Sequence, residues 1–488
     1  MTLYQEIFAK NAKRFAGAPF LDDARIGAFN IGESLSLSCE CAQRLYDLGL
    51  RPGDALVLKA TRNAATAILF NATQILGLIV IPMDERENAE PVYNIDPRVK
   101  AIAYQKDEAH AIASWTVSFH GDEKPMDVPL KPNPKFDSVS FDHDVNADAL
   151  WVFTSGSEGV AKIVRHSQKT LFSHCERYHA PSSCDETDRG IFLLPLYHVF
   201  GIALVLMGVF VGFSIFFPAT LDLDDVIDYT LEKKITYIDH VPSFHYVLGK
   251  RAKERGITFT TLRNGLSGGA PMEESRFREI EESLNMKLLP VYGASEIIGI
   301  AALGQEASEY RRRTAVGQPL KDTILRLIDE NGEEVKRGEP GEILVKSPSL
   351  MLGYLGKDTG IDEEGFFATG DIGYIDEIGD LHITGRKKQI IIRNGNNLSA
   401  ADIEKRLLHL GGVINCCVVG IKDEAAGEAP AAMVALDKGN AQEAFIEAMH
   451  KELPKIMWPT KMEFVENLPT LPSGKVDRVR IKSILAGK

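Results

Sequence analysis

Residues 153–162 read FTSGSEGVAK, placing the hydroxyls of Thr154, Ser155 and Ser157 beside Gly156, Glu158, Gly159 and Lys162. Glycines let backbone N–H groups approach a ligand closely, hydroxyls add donors, and a lysine adds mobile positive charge; together they suit a polyphosphate. The spacing is not that of a Walker loop, because Val160-Ala161 separate Gly159 from Lys162 and Ile163 stands where Ser or Thr would follow. Nor is it the dinucleotide G-x-G-x-x-G. Taken alone, the stretch is equally a surface Ser/Gly turn. Other residues able to do chemistry recur downstream: Tyr197-His198, Asp239-His240, Ser267-Gly268-Gly269-Ala270-Pro271, Tyr292-Gly293-Ala294-Ser295-Glu296, Thr369-Gly370-Asp371, Arg386 and Ser473-Gly474-Lys475.

These residues need elements to position them. The apolar run 149–153 and the short run 163–166 predict a strand–loop–strand hairpin around the glycine loop. Upstream, helical periodicity over 38–48 and 63–76 alternates with strand-like runs at 55–58 and 78–81. Downstream, a strand over 190–196 ends in Tyr197-His198. A helix over 222–232, a strand over 235–238 and a helix over 273–284 follow, and a strand over 287–292 enters the turn at 293–296. Such alternation implies βα units and a largely parallel, covered sheet. Ligands of open α/β sheets gather at the carboxyl ends of strands. The loop after 154, the turn at 268, His198 and Glu296 all follow strand-like runs, which predicts a single site. Residues 105–148 read as irregular connections. From about 316 the texture becomes short β runs. After the basic pair Lys387-Lys388 a small α/β unit is expected: a helix over 400–410 started by Ser399, strands near 413–419 and 431–436, a helix over 441–453 and a last strand at 462–465. A chain of 488 residues exceeds what one core sustains, so the division expected is 1–385 and 386–488.

The net charge of −13 argues against a broad nucleic-acid or anionic-membrane surface, so an anionic ligand must be held by local donors. Cys39, Cys41, Cys175, Cys184, Cys416 and Cys417 lack metal-ligand spacing and read as reduced, buried fillers of a cytoplasmic protein. The first fifteen residues suggest an amphipathic helix with no apolar core suited to a signal peptide. Residues 201–217 are apolar throughout; their glycines and the flanking Pro195 and Pro218 favour a buried helix running into a buried strand over a membrane span. Nothing chooses between a monomer and a homodimer.

In this order, from about residue 35 to 478, the motifs resemble the adenylate-forming superfamily of acyl-CoA and aryl-CoA synthetases, adenylation domains and beetle luciferase. The resemblance implies an α/β fold: a large N-terminal domain of βα-type sheets with a β-rich subdomain, and a small mobile α/β C-terminal domain. It implies ATP with Mg²⁺, a carboxylic acid, and coenzyme A as co-substrate. The phosphate loop falls on Thr154, Ser155, Gly156, Ser157, Glu158 and Gly159 with Lys162, and the adenine turn on Gly268, Gly269 and Ala270. Tyr292, Gly293, Ala294 and Ser295 border the nucleotide, and Glu296 is the Mg²⁺-associated residue. Asp371 corresponds to the acceptor of the ribose hydroxyls, Ile383 lies by the nucleotide, and Arg386 matches the arginine on ribose and phosphate. Lys388 corresponds to the hinge, Lys475 to the mobile catalytic lysine, Gly395 to a glycine lining the thiol tunnel, and His198 to a histidine near the acyl pocket. The sequence departs from the usual pattern at Glu158 (Ser or Thr), Ala161 (Pro) and Ile163-Val164 (Gly-Val).

Residues 199–217 carry no charge, whereas amino-acid adenylation domains place an aspartate there. An acid without an α-amino group is therefore expected, acyl or aryl, in a pocket lined by Val199, Phe200, His240, Val241, Gly268 and Ile297. Asp239 and His240 are alternatively placed to recognise a hydroxyl or amide on the substrate. The acceptor thiol is coenzyme A or, alternatively, the phosphopantetheine of a carrier protein. A non-catalytic nucleotide-binding relative is a further alternative, and no residue signals the oxygen chemistry of a luciferase.

Overall fold

Two large sheets present the site-bearing loops. The computed structural model describes the chain except for residues 1–2, 106–112, 138, 155–161, 271, 273, 438–440, 472–475 and 488. Among the described residues, a nine-stranded sheet carries the parallel neighbours Tyr237–Ile238, Asn264–Ser267 and Lys287–Tyr292. An eight-stranded sheet carries Asp148–Thr154 between Ile79–Asp84 and Lys162–Ser167. The alternation in the sequence is thus realised as βα units, and the mixed α/β class expected is the one observed.

Local signals account for much of this. Asn63 caps the helix Ala64–Leu76 by accepting the Thr66 N–H, and Gly77 ends it in the left-handed region. Every residue of that helix is buried, and each Leu or Ile so buried contributes about 1.5–3 kcal/mol. The apolar stretch 201–217 forms nearly all of helix Val199–Val211 and the strand Ser214–Phe217, both in the core. No described helix is long and apolar enough to cross a membrane. All six cysteines are buried and unbridged.

The structure departs from the sequence reading in three places. The strand expected over 190–196 is only Arg189–Ile191, and irregular chain leads from it to the helix at Val199. Within 105–148, Trp115–Phe119 and Asp122–Pro125 form a hairpin that extends the eight-stranded sheet, where irregular chain was expected. After the last expected strand, a helix Arg478–Leu485 packs on the small unit, its Arg478 forming a 2.6 Å ion pair with Glu404.

The β-rich part is a four-stranded sheet ending in Phe367–Ile375 and Leu381–Arg386. The chain leaves it through the 3-10 turn Lys387–Gln389 and enters a five-stranded sheet at Ile390–Arg393. Two contacts clamp this small unit onto the large one. Lys250 pairs with Asp437 at 2.7 Å, and Arg276 donates to the carbonyls of Val413 and Ile414.

Candidate active site

The glycine loop lies, as its flanks predict, between antiparallel strands, with Thr154 paired across from Lys162. Ser155, Gly156, Ser157, Glu158 and Gly159 lie outside the described residues, as does Lys475. At the loop's exit the Lys162 ammonium sits 4.6 Å from the Tyr354 ring centroid. The Tyr354 hydroxyl donates to Glu296 Oε1 at 2.8 Å, and burial, then the Glu296 charge, pushes its pKa upward. Tyr354 therefore links a cation of the loop to the carboxylate of the Tyr-Gly-Ala-Ser-Glu turn. The sequence reading missed it, because a tyrosine in Gly353–Tyr354 carries no motif of its own.

That turn is held from several sides. Ala294 and Ile297 exchange backbone hydrogen bonds of 3.0 and 3.2 Å, and His166 Nε2 donates to the Ser295 carbonyl at 2.8 Å. Tyr292 donates to Asp371 Oδ2 at 2.6 Å, while Arg386 Nε donates to Asp371 Oδ1 at 2.5 Å. Antiparallel register puts Asp371 opposite Arg386 and Gly373 opposite Ile383, so a turn, two strands and an ion pair converge on one carboxylate. Burial, then Asp371, drives the Tyr292 pKa well up, keeping its hydroxyl a donor.

A cavity adjoins this cluster. Its wall includes His198, Val199, Phe200, Gly268, Gly269 and the turn Gly293, Ala294 and Ser295. Gly268 is required sterically: a Cβ there would lie 2.8 Å from the Val291 carbonyl oxygen. Ala270, the next residue but one, is exposed. His198 caps the helix Val199–Val211, its Nδ1 accepting the Phe200 N–H at 3.2 Å, which leaves Nε2 as the protonated nitrogen. Residues not singled out beforehand complete the wall, among them His174, Tyr178, Leu204, Phe213 and Tyr237, with Asp239.

Three residues expected in the pocket are elsewhere. Ile297 is fully buried in a different cluster, with Val164, Ile300 and Leu327. The chain turns into helix Pro242–Glu254 at Val241, which is buried as the residue preceding it. That turn folds the His240 ring onto Phe244, 3.9 Å between centroids, with Nδ1 accepting the Val241 N–H. Gly395 likewise has a local explanation. Asn394 and Gly395, with φ of 51° and 77°, form the two-residue turn between Ile390–Arg393 and Asn396–Ser399. A Cβ on Gly395 would meet nothing within 4 Å, so turn geometry accounts for the glycine in this arrangement. Lys388 is exposed in the connecting 3-10 turn.

Burial sets the protonation of this region. It lowers His166 and His245 to about 4 and, with the Arg177 charge, His174 to about 3. It raises Asp239 to about 7. The histidines stabilise the fold above pH 6.5, and that contribution is lost as pH falls, because the unfolded chain takes up protons the folded chain refuses. At pH 5 the loss is about 2 kcal/mol for each histidine. Asp239 acts in the opposite sense: its penalty grows between about pH 4 and 7, so acidification to pH 5 returns about 3 kcal/mol. Three groups outweigh one, so thermal unfolding at pH 5 is expected well below that at pH 7.5. An equal or higher midpoint at pH 5 contradicts neutral buried histidines.

The profile of the AMP-binding enzyme family matches residues 8–355, and that of the AMP-binding enzyme C-terminal domain matches residues 402–475. A 2-succinylbenzoate–CoA ligase of Bacillus pumilus is 29% identical over 454 residues, spanning 91% of this chain and 90% of that protein. A feruloyl-CoA synthase of Amycolatopsis sp. is 25% identical over 446 residues, 89% of each. Among solved structures, ATP-bound MatB from Rhodopseudomonas palustris shares the fold with a TM-score of 0.83 at 23% identity over 99% of each chain. With its loop hairpin, its convergent Tyr292–Asp371–Arg386 cluster and these two matched segments, the chain belongs to the AMP-binding family of adenylate-forming enzymes.

Proposed function

We propose that this enzyme activates a carboxylic acid lacking an α-amino group as its acyl-adenylate and passes the acyl group to coenzyme A. One observation carries the reading. The turn 292–296 addresses three places at once: Tyr292 bonds Asp371, residues 293–295 line the cavity, and Glu296 meets Tyr354 and through it Lys162. A nucleotide on the Asp371 side and an acid in the cavity would then share one short segment, which is what attack on an α-phosphorus needs. The names of the relatives as CoA ligases support coenzyme A as acceptor.

In this reading, residues 1–385 bind ATP and the acid, and residues 386–488 move about Lys388. Asp371 accepts the ribose hydroxyls beside Arg386 and Ile383, and Gly268, Gly269 and Ala270 take the adenine. The loop from Thr154 to Lys162 holds the phosphates. Mg²⁺ arrives with ATP: no cluster of three or more ligating side chains exists among the described residues, and a single carboxylate plus phosphates suits Mg²⁺. Glu296 fits that role with the oxygen Tyr354 does not bind, and the ion would offset charge on departing pyrophosphate.

The substrate carboxylate attacks the α-phosphorus, the bond to the bridging oxygen breaks, and pyrophosphate leaves. The thiol sulfur then attacks the carbonyl, AMP departs and the thiol proton passes to solvent. With its proton on Nε2, His198 is a donor to the acyl oxygen and not a base for the thiol.

Incubation with ATP, Mg²⁺ and a broad panel of acids is expected to give ATP–pyrophosphate exchange, and added coenzyme A a thioester of the matching mass. Absence of exchange with every acid contradicts adenylation. Exchange without a CoA thioester, rescued by a phosphopantetheinylated carrier protein, would move the acceptor to the carrier.

A further inference from the structure

The helix Gln168–Ser182 contributes two polar rings to the cavity wall, His174 and Tyr178, one turn apart and stacked with centroids 5.0 Å apart. Each side chain is about 3% exposed. His174 Nδ1 lies 2.8 Å from the Ile298 carbonyl, which can only accept, so Nδ1 carries the ring proton and Nε2 is a lone-pair acceptor. Among the described residues, neither that Nε2 nor the Tyr178 hydroxyl has a hydrogen-bond partner. Buried polar atoms without partners are rare in native proteins, and here two stand together beside Phe200, Leu204, Met207 and Phe213, in a wall whose other polar side chains include His198, Tyr237 and Asp239.

The missing partner has a definite chemistry. Nε2 needs a donor, and the Tyr178 hydroxyl can give a hydrogen bond to the same group. A carbonyl or ether has no proton for Nε2. A second carboxylate is disfavoured by that lone pair and by Asp239, whose Oδ1 already accepts the Leu266 N–H. A hydroxyl answers both atoms.

We propose that the acid activated by this enzyme carries a hydroxyl group, held in the cavity by His174 Nε2 and Tyr178 Oη. The two residues are specificity-determining and take no part in the chemistry at phosphorus. This inference rests on the adenylation reading and refines its substrate.

The test compares kcat/KM for ATP–pyrophosphate exchange in matched sets: benzoate, phenylacetate, cinnamate and hexanoate, each with its hydroxylated counterparts at every ring or chain position and with the corresponding amines. At least one hydroxylated acid is expected to exceed its parent about tenfold or more, since a site built to bond a hydroxyl rejects the analogue lacking it. Tyr178→Phe, which removes one oxygen and keeps the ring, should shrink that ratio several-fold, mainly through KM. His174→Phe should bring it close to one. A purely structural role would lower both members of a pair and leave their ratio unchanged, which overturns the proposal. So does exchange with parent acids and no hydroxyl preference, the result if water satisfies the two atoms; adenylation then still stands. Preference for the amine would assign the site to Asp239 and also overturns it. No exchange with any acid removes the adenylation reading and this one with it.

Discussion

Replacing Lys475 by alanine is expected to lower ATP–pyrophosphate exchange on the order of a hundred- to a thousandfold, the usual cost of losing one preorganised charge at a developing anion. The attacking carboxylate and the α-phosphate are both negative, and the chain's net charge of −13 offers no general attraction to bring them together. A lysine following Ser473-Gly474 is the cation the sequence places in the family's position for this task. Thioester formation from supplied acyl-adenylate should fall far less, because neither the phosphoryl step nor that pair of anions is then involved. Steady-state assays of the two half-reactions check this. Equal loss in both contradicts the assigned role and would make Lys475 a general structural or acyl-binding residue.

Asp371→Ala is expected to act on both binding and stability. The carboxylate receives Tyr292 on one oxygen and Arg386 on the other. Its removal strands the half-buried Tyr292 hydroxyl and deprives the guanidinium of its 2.5 Å partner. A buried donor left unpaired costs about 1–3 kcal/mol, the half-buried Tyr292 hydroxyl falling at the low end, and the Arg386 term is smaller because that side chain is 49% exposed. The unfolding midpoint should therefore drop by several degrees. If Asp371 also receives the ribose hydroxyls, the KM for ATP rises at least tenfold beyond any loss of folded protein. Asp371→Asn separates the two effects, since it keeps the size and one acceptor oxygen. A stability loss with an unchanged ATP KM leaves Asp371 only its bridging role and refutes ribose binding.

Much of the framework was legible because it depends on neighbours in sequence. The loop hairpin follows from two apolar runs flanking glycines, and the helix start at Ser399 follows from a polar side chain meeting an N–H three residues on. The helix-to-strand reading of 201–217 succeeded for a similar reason, since Gly212 stops the helix locally.

The cavity was decided elsewhere. His240 reads like a pocket residue until the helix beginning at Pro242 turns its ring onto Phe244. Ile297 follows the motif immediately but joins a core formed by the β-rich part. His174 and Tyr178 lie on a helix of mixed polarity, where periodicity cannot tell a solvent-facing pair from one facing an internal cavity. Tyr354 reaches Glu296 across 58 positions, and Tyr292 reaches Asp371 across 79. The sequence by itself determined the family, the order of the loops and the residue types offered at each. Only the tertiary structure decided which side chains share a wall, because that depends on sheet order and packing, and neither leaves a fixed spacing along the chain.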